Sequence, residues 1–403
     1  MGILPLSGVR VVDMTRVVAG PWATRVLATF GAEVIKIEST KRLDFQRNRG
    51  PFPPGLGPPD GSAAFTANNL NKRSFTLDLT REEGRKLFLE LVRKSDVVLE
   101  NFSYGVMEKL GFGYDALSKN NPGVIMLSLS ALGRTGPEKT AVGYGHGFHA
   151  FSGITYLTGY PDKGPGGIGG SWSDPVAGTS MTFSIMAALH HRKKTGQGQH
   201  IDLSIIEATM VGLPEALMDY TMNGRNRGRR ANEDDIMAPH NTYRCAGADA
   251  WIAIGVEDDT QWRALCGVMG RPDLAADARF ADRYARWTRR AELDTLVEGW
   301  TRTQSNTDLE RRLQGVGVPA SAVRDIRDLL EDEHLNARGV FARVPHPQQG
   351  PLLYLTTPWH LSEAKPEYRT GSLLAQDNMD ILTNVLGYSV EEARRLIESG
   401  VAV

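Results

Sequence analysis

The chain has 403 residues, 41% hydrophobic and 23% charged, the composition of a folded globular protein of roughly two domains and not of a disordered or fibrous one. Its 46 Lys and Arg against 47 Asp and Glu leave a formal net charge of -1, so no basic excess points to nucleic acid or an anionic membrane. Cys245 and Cys266 are too few for a disulfide framework and lack CxxC spacing; with no signal peptide and no run of about 18 apolar residues, a reduced cytoplasmic setting is expected.

The N-terminal part alternates short β-branched runs with helical stretches, the pattern of βαβ units around a mainly parallel sheet. Strands are predicted at Val9–Val12, Glu33–Ile37, Ser74–Leu79, Val97–Leu99 and Val124–Leu129. Between the first two lies a helix over Trp22–Phe30, entered through Gly20-Pro21. A second helix follows Thr80, with Thr80 and Glu83 spaced as a capping box and Leu87, Phe88, Leu91 and Val92 on one face. The glycine-rich stretch from Tyr144 to Asp174 reads as loop, and Val176–His191 as an apolar helix. A polar, arginine-rich linker, Asn223–Asp235, precedes a smaller unit that starts at Trp251–Val256 and holds helices near Gln261–Met269, Ala291–Trp300 and Asp308–Leu313.

Asp174 stands between the glycine loop and this apolar helix, before Pro175, so local rules make it a helix N-cap. The same placement suits a nucleophilic carboxylate held by backbone amides. The segment from Asp13 to Pro21 ends the first strand, where open α/β sheets bind ligands. It lacks GxGxxG, although Glu38 at the end of the second strand mimics a ribose-binding acid. Lys72-Arg73 and Lys109 are candidates to meet a phosphate, whereas Arg192-Lys193-Lys194 reads as a partner for a helix dipole. No HExxH metal pattern and no GxSxG elbow occurs, so neither a metal site nor a serine hydrolase is expected.

Several blocks in consecutive order resemble the family III coenzyme A transferases, the group containing formyl-CoA transferase and carnitine CoA-transferase. They are LPLSGVRVVDMTRVVAGPWATRVLATFGAEVIKIE, NNLNKRSFTLDL, SDVVLENF, ALGRTGP and SDPVAGTSMTFSIMAALHHRKKTGQGQHIDLSIIEA, followed by MAPHNTYRC, GVPASAV and LNARGVF. The resemblance implies an α/β fold with a Rossmann-like large domain (residues 1–223, completed by a return segment, 324–403) and a smaller α+β domain (224–323). It further implies two subunits threaded as interlocked rings, or a heteromer with a related subunit.

The resemblance places the family's catalytic aspartate on Asp174. Coenzyme A contacts carry over to Val18 and Ala19; to Leu77, Asp78, Leu79 and Thr80; to Asn101, Phe102 and Ser103; to Lys109; and to Gly143, Tyr144 and Gly145. No tightly bound cofactor is implied, since the coenzyme A thioester is the substrate, and succinyl-CoA is the donor to expect at family level. This chain departs from formyl-CoA transferase at Val18, Ser39 and Gly145, which speaks against oxalate and formate as its acids. The alternative reading, a 2-methylacyl-CoA racemase, needs a histidine and an aspartate where this chain has Tyr144 and Gly145, and tyrosine is a poor base at neutral pH. A noncatalytic partner subunit would have lost the aspartate that is retained here.

Overall fold

The computed structural model of the chain describes residues 3–348 and 350–403. They form two compact units, Met1–Leu157 with Pro165–Arg227 and Ala337–Val403, and Thr158–Gly164 with Gly228–Asn336.

The larger unit is built on six parallel strands: β1 (Arg10–Asp13), β2 (Glu33–Glu38), β3 (Arg73–Thr76), β4 (Val97–Glu100), β5 (Ile125–Ser130) and β6 (Gln199–Ser204). Their order, β3-β2-β1-β4-β5-β6, is that of a Rossmann-like sheet and reverses direction between β1 and β4. Successive residues of a strand point to opposite faces, so Val11 enters one core and Val12 the other. On the Val12 face the helix α2 (Glu82–Arg93) buries Leu87, Phe88, Leu91 and Val92. Two helices, α1 (Ala19–Thr29) and α4 (Ser173–Thr195), cover the Val11 face with Leu27, Met181 and Ile185. The smaller unit has an antiparallel sheet, β7 (His240–Arg244), β8 (Trp251–Gly255) and β9 (Ala320–Ala322), around a core that includes Trp262, Leu265 and Phe280.

Three local expectations are corrected. Thr80 does not cap α2: its hydroxyl donates to Asp78, and Arg81 takes the cap position without a side-chain bond. The stretch from Tyr144 to Asp174 is not all loop, since it contains α3 (Gly145–Phe151) and a turn of helix at Ile154–Leu157. The edge strand β6 carries no sequence expectation, because Gln199-His200-Ile201-Asp202 alternates polar and apolar residues at a sheet edge and lacks the continuous apolar run of a central parallel strand. Among the described residues, no helix is long and apolar enough to cross a membrane. A further helix, α5 (Pro214–Asn223), leaves Leu217, Met218, Tyr220 and Met222 exposed.

Candidate active site

The coenzyme A candidates that follow β1, β3 and β4 sit at the carboxyl edge of the sheet, because the strands are parallel and each follows a strand end; Lys72-Arg73 instead lies at the start of β3. Val18 and Ala19 lie in the turn after β1, Leu77–Thr80 after β3, and Asn101–Ser103 after β4. The turn after β1 and the start of the β4 loop flank the point where strand order reverses, the usual ligand crevice of such sheets.

The turn after β1 is tied down at almost every backbone group. Asp13 accepts from the Thr15 amide at 2.9 Å, Lys36 Nζ donates to the Thr15 carbonyl at 2.7 Å, and Asp44 accepts from the Val17 amide at 3.1 Å. Across the crevice, the Asn101 side chain accepts from the Arg16 amide and donates to the Arg16 carbonyl, both at 2.8 Å. The Arg16 guanidinium also lies 5.5 Å from the Phe102 ring centre. This bracing holds Val17 at φ 70°, a left-handed conformation that costs a β-branched residue about 1–3 kcal/mol. Gly20 is required there, because a Cβ at that position would lie 2.3 Å from the Cβ of Thr15.

Beneath the turn, Lys72 is buried and donates to Asp13, to the Pro21 carbonyl and to Asn69. It is therefore a structural cation, not a phosphate contact; burial holds its ammonium down to about 8. Arg73 is engaged by Glu33 and Asp380. Glu38 is equally consumed, paired with the buried Arg47 at 2.7 Å, and offers nothing to a ribose.

Asp174 is the second residue of α4 and not its cap; Trp172 precedes the helix and makes no side-chain capping bond. Its amide donates to the Ser171 carbonyl at 3.1 Å. The carboxylate, in a residue only 9% exposed, lies near the Ser171 hydroxyl and the backbone amide of Ala19, close enough for both to favour its charged form. Ala19 opens α1, so that amide is one of the four the helix leaves unpaired, and it carries the positive end of the dipole. The N-terminus of α1 is thus directed at a carboxylate in the first turn of α4. Burial pushes its carboxyl above the ordinary aspartate value, against the Ser171 and Ala19 hydrogen bonds that pull it down.

Gly178, one turn along α4, makes the approach possible. A Cβ there would lie 2.6 Å from the Trp22 ring and 2.8 Å from the Ala19 carbonyl oxygen. Gly178→Ala is expected to push α4 off α1 and lower kcat by about 100-fold, the usual effect of a misplacement near 1 Å at a reacting group. Circular dichroism alongside steady-state assays checks that the fold survives the loss.

The remaining candidates are distributed unequally. Gly145 is next to the site, since a Cβ on it would lie 3.0 Å from the Ser171 hydroxyl, so a glutamate here would crowd the group that holds Asp174. Gly143 precedes α3, and Tyr144, at its start, is 78% exposed. Leu77 is buried in the core and the Asp78 carboxylate is taken by Lys41 and Thr80, which leaves this segment its backbone as a contact surface. Ser103, Thr80 and Lys109 are exposed, and Leu79 is half-buried. Ser171, Gly178, Lys36 and Asp44 carried no functional expectation; only a glycine four residues after Asp174, on the face of a helix destined for the core, gave a readable signal.

The description CoA-transferase family III matches residues 6–372. The succinyl-CoA–D-citramalate CoA-transferase of Chloroflexus aurantiacus is 36% identical, covering 97% of this chain and 96% of its own length. The alpha subunit of the succinyl-CoA–L-malate CoA-transferase from the same organism is 35% identical, covering 98% and 91%. A crystal structure of a CAIB/BAIF family protein from Brucella suis superposes with a TM-score of 0.86 at 35% identity, over 94% of this chain and 99% of that one.

Proposed function

Since the chain belongs to CoA-transferase family III, we propose that it moves coenzyme A from succinyl-CoA to a carboxylic acid through covalent intermediates on Asp174. The observation that carries this reading is the Asp174 carboxylate itself, part-desolvated and met by the Ala19 amide at the mouth of a Rossmann-type crevice. Partial burial keeps it a stronger nucleophile than a solvated carboxylate, and the amide is placed to take charge on its oxygen.

In the first step an Asp174 oxygen attacks the thioester carbonyl; the C–S bond breaks and CoA leaves as thiolate, giving an acyl-aspartyl anhydride. The thiolate then attacks the aspartyl carbonyl and expels the donor acid, leaving an aspartyl-CoA thioester. The acceptor carboxylate attacks that thioester and frees the thiolate again. Attack of the thiolate on the acceptor's acyl carbon restores the Asp174 carboxylate and releases the new CoA ester. Val18, Ala19, Asn101, Phe102 and the Leu77–Thr80 backbone line the edge at which coenzyme A would lie, with Ser103, Lys109 and the Gly143–Gly145 segment beside it.

The relatives named for D-citramalate and L-malate support a hydroxylated dicarboxylic acid as acceptor. The working unit in this reading is a cytoplasmic, interlocked homodimer, or a heteromer with a related chain as the alpha-subunit name of one relative has it. The exposed apolar face of α5 supports association, because apolar surface of this kind is normally covered. No observation favours racemisation: Gly145 carries no acid and Tyr144 stands in solvent.

Initial-rate kinetics with succinyl-CoA against citramalate, malate, glutarate and oxalate, read by mass spectrometry of the CoA esters, tests the proposal. Parallel double-reciprocal lines and a new CoA ester are expected, whereas α-deuterium uptake into a 2-methylacyl-CoA without any acceptor would contradict it.

A further inference from the structure

The ring of His149 is 1% exposed and faces the first turn of α4. Its Nε2 accepts the Ser173 amide at 3.1 Å, so one of the amides that the helix leaves unpaired is satisfied by an imidazole. An Nε2 that accepts is unprotonated, which fixes the proton of the neutral ring on Nδ1. That Nδ1 is buried and makes no hydrogen bond to the protein, and the same holds for the Ser173 hydroxyl. A second ring proton would therefore break the Ser173 bond and bury two N–H groups with no acceptor.

We propose that His149 is a positioning residue for Asp174, holding the start of α4 in register only while its ring is neutral. The inference rests on the reading of Asp174 as nucleophile. Ser173 adjoins Asp174 in the chain, so losing the anchor of its amide shifts the carboxylate relative to Ala19. On its own helix the ring faces His146, at 6.3 Å between centres. Of the elements packed against α3, α4 carries Asp174 in its first turn and His190, His191, Arg192, Lys193 and Lys194 toward its far end, the turn that follows carries Tyr156, and the helix Ile205–Met210 carries Glu207. Burial first, and then His146, lower the basicity of His149, which keeps it neutral at pH 7.

Three full-length proteins decide the matter: the parent, His149→Gln and His149→Ala, with kcat measured from pH 5 to pH 9. A glutamine oxygen accepts the Ser173 amide at every pH. In the parent, kcat should step down about tenfold on the acid side as His149 protonates, the usual effect of losing a buried hydrogen bond, in addition to the separate loss from protonation of Asp174. His149→Gln should keep most of the kcat at pH 8 and lose the step, retaining only the Asp174 limb. His149→Ala should run about tenfold low at pH 8 with no step. If His149→Ala does not fold, the comparison of parent with His149→Gln still decides. An unchanged acid step in His149→Gln overturns the role of His149. Trapping of a covalent intermediate in the parent separates this from a failure of Asp174: an adduct on Asp174 with an unchanged step rejects His149 alone, and no adduct rejects the nucleophile.

Discussion

Asp174→Asn will fold, will lose CoA transfer by on the order of 10^4-fold or more, and will melt at a higher temperature than the parent at pH 7. The two effects have one cause. The raised carboxyl of Asp174 means that the native protein holds its proton more tightly than the unfolded chain does. Stability from this group is present below the ordinary aspartate value of 3.8 and is lost as pH rises through the raised native value, so at neutral pH the ionised carboxylate is a net cost. Asparagine keeps the shape and an oxygen for the Ala19 amide but carries no charge. The gain in melting temperature should therefore shrink as pH is lowered toward the carboxylate range, which differential scanning calorimetry at pH 7 and pH 4.5 will show. A variant that melts lower at pH 7 would mean the Ser171 and Ala19 bonds outweigh burial.

The second large effect is expected at Lys36→Met. Lys36 and Asp44 are 2% and 0% exposed and 3.1 Å apart, and removing one partner of a buried pair costs about 3–5 kcal/mol because the other charge stays buried. Burial alone would lower the basicity of Lys36; Asp44, Asp13 and Glu38 reverse that and keep it charged. The lost ammonium also frees the Thr15 carbonyl, while Asp44 is left to hold the Val17 amide. The turn that holds Val18 and Ala19 then has less to oppose its strain, so KM for acyl-CoA should rise together with the drop in denaturation midpoint. Arg302→Ala supplies the contrast. Its ion pair with Glu298 is solvated, 57% and 38% exposed, and should be worth no more than about 0.5 kcal/mol.

Much of this architecture was legible in the sequence, for reasons that particular residues make plain. The apolar runs of β1, β2, β4 and β5 read as buried parallel strands because both faces of the sheet are covered. The Leu87, Phe88, Leu91, Val92 stripe found its core by its spacing alone. The resemblance to family III, carried by ordered blocks and not by any single spacing, is what singles out Asp174 as the candidate nucleophile. Short-range rules failed where long-range contacts decide. Asp174 has the sequence of a cap, yet its carboxylate is claimed by Ala19, 155 positions earlier in the chain. Thr80 has the sequence of a capping box, yet Asp78 takes its hydroxyl. Lys72 has the look of a surface cation, but reach to Asp13 puts it under the β1 turn. Propensity cannot foresee Val17 in a left-handed conformation, because that strain is sustained by Asp44, Lys36 and Asn101 from three other segments.

The most direct test of the central claim uses succinyl-CoA alone, with no acceptor acid, followed by peptide mapping. Asp174 as nucleophile predicts that the intact protein gains the mass of coenzyme A less water, and that hydroxylamine converts this adduct to a hydroxamate on Asp174. A hydroxamate on any other residue, or full transfer activity in a protein that never carries a covalent adduct, would contradict the account.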